Sequence, residues 1–399
     1  MKLSTKSLVL LTPRRTSFAL VSLASKAGTG VHKPVGKDGE GEYTAATKGC
    51  FDVIDTATPA ILGEIFKQDA ISSPRAYHIA DYGTADAGTS LGLLSRMVES
   101  VRKHNNNDEQ EVVVHYEDQL TNEWQSVFRH ALGLKHVKDA YGNHIETPIA
   151  LGNVYAEASG VGFHNQCYAS NSIDFAISFT AMHWLSSCDV SSLSGTPFMH
   201  AARCPEAPQS EKVQAADDWK AILKARSKEL VKGGRFVCVN FCVSKEGYFL
   251  GQTGKGKSMW DSFETAWNQL HEEGLIDDKE KDAISFPSYY RTMDEFLQGI
   301  GEVGGFKVVS AEEKIVPCPY RELYTSGKTS FSEREYAEWF VPTTRTWSHS
   351  TFQSALNQER NDKEAIMGKF WDNYISLVAK NPTEHGMDYV HAYIVLEKV

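Results

Sequence analysis

A chain of 399 residues with 41% hydrophobic content can bury one large core, and its length permits two or three domains without requiring them. Its 51 acidic residues outnumber 41 Lys and Arg, a formal charge of -10, and a field of that sign repels phosphate backbones, which argues against a nucleic-acid partner. The same sign gives an anionic ligand no long-range attraction, so an acidic substrate has to be held by local contacts in a closed pocket.

The chain opens with Lys2, Lys6, Arg14, Arg15 and Lys26 among serines and threonines, with no acid before Asp38. That is the composition of a transit peptide over residues 1–35, mitochondrial or plastid; an untargeted, disordered tail on a cytoplasmic protein is the alternative. The apolar run 8–11 is too short for a secretory core or a membrane span, and no membrane span is expected. β-Branched and aromatic runs ended by turn residues then predict strands over 76–80, 111–116, 172–179, 234–241, 306–309 and 389–396, with helical patterns between them. Such alternation implies an α/β fold with a mostly parallel sheet and helices on both faces. Sheets of this kind bind ligands beyond the carboxyl ends of their strands. The stretches 259–274 and 333–380 read as helices outside the sheet, suited to a lid. Seven scattered cysteines without a Cys-x-x-Cys pair suggest neither a disulfide framework nor a zinc site.

Chemistry concentrates at the strand ends. Residues 79–90 run from a strand through Asp81, Gly83 and Gly88 into a helix over 91–102. The glycines let the backbone turn and approach a ligand, and the acid can hold a cationic group. This stretch does not by itself exclude a dinucleotide enzyme, although Ala85 and Ala87 break the Gly-x-Gly-x-x-Gly pattern. His115-Tyr116-Glu117-Asp118 ends the next strand, where a carboxylate can accept from a ribose diol or cap a helix. Residues 229–237 read as a helix ended by Gly233 and Gly234 and followed by a strand.

In this order the motifs resemble the SABATH family of S-adenosylmethionine-dependent carboxyl methyltransferases, as a distant branch, from about Gly36 onward. Ser178 followed by His183-Trp184-Leu185-Ser186 is the most specific match. Met259-Trp260 with Ala266-Trp267-Asn268-Gln269-Leu270 is similar to the family's lid helix, and Gly41-Glu42-Tyr43 to its opening segment. The resemblance implies a class I, Rossmann-like methyltransferase sheet with an α-helical cap. The core then takes 36–245, 301–325 and 386–399, and the cap takes 246–300 and 326–385. It also implies that Tyr43, Asp81, Gly83, Asp118, Gly162, Phe163 and Ser178 surround S-adenosylmethionine, and that His183, Trp184, Met259, Trp260 and Cys50 face the substrate. Cys50 stands where the family usually has a glutamine that grips the acceptor, and Gly162 where it usually has a serine. Near Asp282 the family's occasional divalent-ion pair is missing, so no metal is expected, and the insertion 138–149 is foreign to the plant pattern.

The implied reaction moves a methyl group to the carboxylate of a small organic acid, giving a methyl ester. An acid with a pKa near 4 is already ionised at neutral pH, so no residue is assigned a proton-transfer role. His183 and Trp184 are positioning donors through imidazole and indole N–H groups. Two readings compete with it: N-methylation of a purine-like ring nitrogen, and a catalytically silent small-molecule-binding protein. A nicotinamide-dependent oxidoreductase is disfavoured, because no Tyr-x-x-x-Lys relay follows the strands. A homodimer is an arrangement that the resemblance allows.

Overall fold

The computed structural model describes residues 36–70, 75–187 and 209–399; the expectation for residues 1–35 lies outside them. Helices α1 (Glu42–Ala46) and α2 (Gly49–Ile65) come first. In α2 the residues Cys50, Val53, Ile54, Ala57, Ile61 and Ile65 are buried, a helical stripe that lies on the sheet. Strand β1 (Tyr77–Tyr82), helix α3 (Leu91–Asn105) and strand β2 (Val112–Glu117) make the first crossover unit, and α4 (Trp124–Ala131) follows. Asn106 at the end of α3 adopts a left-handed conformation (φ 48°) and returns its N–H to the last turn. The insertion 138–149 holds one arm of a small hairpin, β3 (Val137–Lys138) with β4 (His144–Ile145).

Next come β5 (Val154–Ser159), β6 (Ile173–Phe179), α5 (Gln209–Glu229) and β7 (Leu230–Val243). Helix α5 runs straight into β7, so Gly233 and Gly234 do not cap it as the sequence suggested. They sit inside the long strand at a register irregularity against β6, where Gly233 takes φ 75°. The second half contains α6 (Met259–Glu272), α7 (Asp278–Asp282), β8 (Arg291–Thr292), α8 (Met293–Val303), β9 (Phe306–Val316), α9 (Pro319–Thr325), α10 (Glu333–Ala355), α11 (Lys363–Lys380) and β10 (Tyr389–Lys398). Reciprocal capping boxes start α7, α8 and α10, at Asp277/Glu280, Thr292/Glu295 and Ser332/Glu335.

The main sheet has strand order β5-β2-β1-β6-β7-β10-β9, with β8 beside β7. Every pairing from β5 to β7 is parallel, and β10 is antiparallel to both β7 and β9. The central strands β1, β2, β6 and β7 are buried almost throughout, as continuous apolar runs covered on both faces have to be. One face packs on α2 and α3, the other on α5 and α8. This is the class I methyltransferase arrangement. Helices α6, α10 and α11 stack on one another outside the sheet around Phe263, Trp267, Phe352 and Phe370. No described helix is long and apolar enough to cross a membrane.

Candidate active site

Two recesses meet over the carboxyl ends of β1 and β6. The first is lined from the β1–α3 turn by Asp81, Gly83, Thr84, Ala85, Thr89 and Ser90, and from α2 by Val53 and Ile54. Its backbone is held in left-handed conformations at Gly83 (φ 72°), Ala85 (φ 50°) and, at the tip of β6, Thr180 (φ 53°). A β-branched residue there is strained, and such strain concentrates at functional sites. Asp81 is 3% exposed. Its Oδ2 accepts from Ser90 Oγ at 2.7 Å and Thr84 Oγ1 at 3.0 Å, which leaves Oδ1 the capacity to accept from a ligand. Burial pushes this carboxyl up to about 6 against those two hydrogen bonds.

Asp118 lies just beyond the end of β2, the neighbour of β1. Its Oδ2 accepts from Ala85 N–H at 2.8 Å and its Oδ1 from Gln119 N–H at 2.8 Å, so it fixes the glycine turn as well as offering charge. Burial lifts it too to about 6, and the nearby Asp81 charge adds to the rise. The two acids are thus close enough for each other's charge to matter. Between them, Glu117 is fully buried, with Oε2 accepting from Gly83 N–H at 3.1 Å; desolvation first, then Asp118, holds it well above the usual carboxylate range.

Helix α1 closes this recess. Asp86 accepts from Thr44 N–H at 2.9 Å and from Thr44 Oγ1 at 2.5 Å. A Cβ on Gly88 would lie 2.3 Å from Thr44 Oγ1, so only glycine lets α1 dock on the turn. Docking carries Tyr43 into the wall of both recesses.

The second recess is richly aromatic. His183, Trp184, Phe241 and Tyr290 form one side; Trp347 and Tyr389 contribute from α10 and β10, with Leu250, Ser288 and Met387 between them. The segment carrying His183 and Trp184 is clamped by backbone: Tyr289 N–H donates to His183 O at 2.9 Å, and Leu185 N–H to Pro287 O at 2.7 Å. Ser186 completes the hold, its N–H and Oγ donating to Asp218 of α5 at 2.8 and 2.6 Å. The His183 ring meets Phe241 edge to face, with centroids 4.8 Å apart. Tyr43, Cys50 and Thr180 belong to both recesses and form the partition between them.

The residues singled out from sequence therefore divide. Asp81 and Gly83 line the first recess, His183 and Trp184 the second, and Tyr43 and Cys50 both; Asp118 is in neither wall and stands behind the first, accepting from Ala85 N–H. Phe163 stands beside Gly83, its Cε1 3.9 Å from where a Cβ there would be, while Gly162 of the same loop has open space around it. Ser178 points inward instead, Oγ donating to Tyr82 O at 3.0 Å. Trp260 and Met259 do not line the second recess. Trp260 is fully buried, its indole N–H donates to Leu250 O at 3.0 Å, and it backs the wall through an edge contact to Trp347 at 6.0 Å. The indole from the cap is that of Trp347.

Sequence reasoning missed Thr180, Tyr290, Trp347 and Tyr389, which no motif marks. It also missed the buried pair Arg226–Glu229 (2.7 Å). Arg226 donates to Phe163 O at 2.9 Å and Asn165 O at 2.8 Å, and Glu229 accepts from Tyr168 N–H at 3.1 Å. This pair shapes the loop that brings Phe163 to Gly83. Its only signal was an Arg-x-x-Glu at the C-terminal end of α5, one helical turn apart.

A family model described as SAM dependent carboxyl methyltransferase matches residues 31–399. Among curated relatives, probable 7-methylxanthine methyltransferase 2 of Theobroma cacao is 23% identical over 359 residues, 86% of this chain and 89% of the relative. Gibberellic acid methyltransferase 2 of Arabidopsis thaliana is 31% identical over 164 residues, 38% of this chain and 42% of the relative. A loganic acid methyltransferase solved with SAH shares the fold, with a TM-score of 0.71 at 20% identity over 92% of this chain and 98% of that one.

Proposed function

The chain belongs to the S-adenosylmethionine-dependent carboxyl methyltransferase family, the SABATH enzymes, and we propose that its acceptor is the carboxylate of a small, largely apolar organic acid, which it converts to a methyl ester. Bound S-adenosylmethionine supplies an electrophilic methyl carbon on a sulfonium sulfur. On this reading the strand-tip recess is the donor site: Asp81 and Asp118 offer carboxylates to its cationic and hydroxyl groups, Phe163 lies by the adenine, and Tyr43 covers it. The aromatic recess is the acceptor site, and the partition at Tyr43, Cys50 and Thr180 is where methyl passes.

One observation carries the choice of a carboxylate. Among the described residues no Asp, Glu or Lys lines the aromatic recess, and His183 is the one imidazole there. Burial also holds the Tyr43, Cys50, Tyr290 and Tyr389 protons in place. Such a wall suits a nucleophile that arrives ionised. His183 and Trp184 supply N–H groups to orient it, and the aromatic faces pack on its apolar body. Orientation of this kind contributes on the order of 7–11 kcal/mol to a displacement that needs no proton transfer.

N-Methylation of a ring nitrogen is the second reading. It is favoured by the relative named for 7-methylxanthine. There His183 would have to take a proton. The two readings part on product chemistry. Protein incubated with methyl-labelled S-adenosylmethionine and fatty, aromatic, indolic and terpenoid acids should yield a label that mild alkali releases as methanol. A label retained through alkali, or a rate that climbs with pH above 7, would overturn the carboxylate reading.

A further inference from the structure

Cys50 belongs to both recesses, and hydroxyls of Tyr43, Thr47, Thr180 and Tyr389 surround its thiol. Of these groups, Thr47 and Tyr389 line the aromatic recess and not the strand-tip one, and Tyr389 is the one that brings an aromatic ring to the partition from the acceptor side. It is the first residue of β10, paired with Val316 of β9, and it is 2% exposed.

The ring is seated from two sides. On one side lies α2, where residue 49 is glycine: a Cβ there would fall 2.2 Å from Tyr389 Cε2, 2.7 Å from Cζ and 2.8 Å from Oη. No other side chain fits at position 49 unless the hydroxyl end of the ring moves. On the other side the ring lies nearly parallel to Phe241 (6.2 Å, 20°) and His391 (5.9 Å, 12°). Two independent elements therefore fix the hydroxyl beside the thiol, at the seam between the chambers. The thiol itself is short and a weak donor. It cannot hold an acceptor oxygen as a longer amide from α2 would.

We propose that Tyr389 is a positioning residue for the acceptor, its hydroxyl donating a hydrogen bond to the reacting carboxylate at the partition. This deepens the carboxylate reading and rests on it. Burial keeps the hydroxyl protonated throughout the working range, so it serves as a donor and never as a competing anion. The geometry also says what an acceptor must offer: a hydrogen-bond-accepting atom at the seam, with its apolar body toward Trp184 and Trp347.

The test compares the wild-type chain with Tyr389→Phe, which keeps the ring and removes only the hydroxyl. Benzoate, cinnamate, decanoate and indole-3-acetate serve as acceptors at saturating S-adenosylmethionine, and calorimetry gives the affinity for S-adenosylmethionine alone. On the best acid, kcat/KM should fall roughly tenfold or more, as expected for a lost hydrogen bond to a charged group, with part of the loss in kcat. Donor affinity should stay within about twofold, because the hydroxyl faces the other chamber. A Tyr389→Phe enzyme with unchanged kcat/KM overturns the proposal. So does a loss matched by an equal loss of donor affinity, which would assign the hydroxyl to the strand-tip recess. If the wild-type chain esterifies none of the four acids, the carboxylate reading itself fails, an outcome distinct from an active wild type with an equally active variant.

Discussion

Asp81 shows what a single residue contributes and costs. Its folded-state pKa of about 6 lies above the ordinary value of 3.8, so the fold binds this proton more tightly than the unfolded chain does. The stabilisation is complete below about pH 4 and is lost as pH rises through 6; above that, the buried charge costs roughly 2–3 kcal/mol. Asp81→Asn keeps an acceptor oxygen for Ser90 and Thr84. It should therefore raise the stability of the ligand-free chain at pH 7.5, in urea unfolding, and leave it nearly unchanged at pH 4. The same variant should bind S-adenosylmethionine at least about tenfold more weakly, and wild-type affinity should fall below pH 6 as the carboxyl takes up its proton. A variant that gained stability and kept full donor affinity would remove Asp81 from the donor site. Acids, glycines and the His183–Trp184 pair were legible because the chemistry sits in the residue type and its place at a strand end. The place of Trp260 behind the wall rather than in it has a different origin. Trp260 and Trp347 are both tryptophans on amphipathic helices, and which indole reaches the cavity depends on how α6 leans on α10, which residue spacing does not encode.

At the scale of elements, the docking of α1 on the β1–α3 turn turns on one missing side chain. Gly88→Ala puts a Cβ into Thr44, so α1 should lift and carry Tyr43 with it. Weaker S-adenosylmethionine binding, by about tenfold or more, should accompany a stability loss of about 1–3 kcal/mol typical of overpacking. Calorimetry and thermal unfolding check both, and intact donor affinity would show that α1 does not close the recess. Six strands could be anticipated because β-branched runs ended by turn residues are informative on their own. Strand β5 could not, since Val154-Tyr155-Ala156-Glu157-Ala158-Ser159 has little strand preference and is recruited by its backbone pairing with β2. Strand β9 continues well past 309 through Glu312, Glu313 and Lys314 because an edge strand keeps one side open to water, where charges are tolerated and discourage further pairing.

Considered as a whole, the molecule divides its labour between a buried parallel sheet, which presents strained turns at one edge, and a layer of aromatic helices that supplies most of the second chamber's bulk. The alternation of strands and helices made the first part legible. The second was legible only as amphipathic stretches, because packing among Phe263, Trp347, Phe352 and Phe370 involves partners far apart in sequence. The two parts share Tyr43, Cys50 and Thr180. A common wall makes the filling of one chamber bear on the other: a nucleoside seated beneath Tyr43 backs the wall that the acid then meets. Turnover should then follow a compulsory sequence, nucleoside in first and spent nucleoside out last. Steady-state product inhibition reads this directly, with S-adenosylhomocysteine competitive toward the methyl donor and noncompetitive toward the acid; competition against both would mean that the chambers fill in either order.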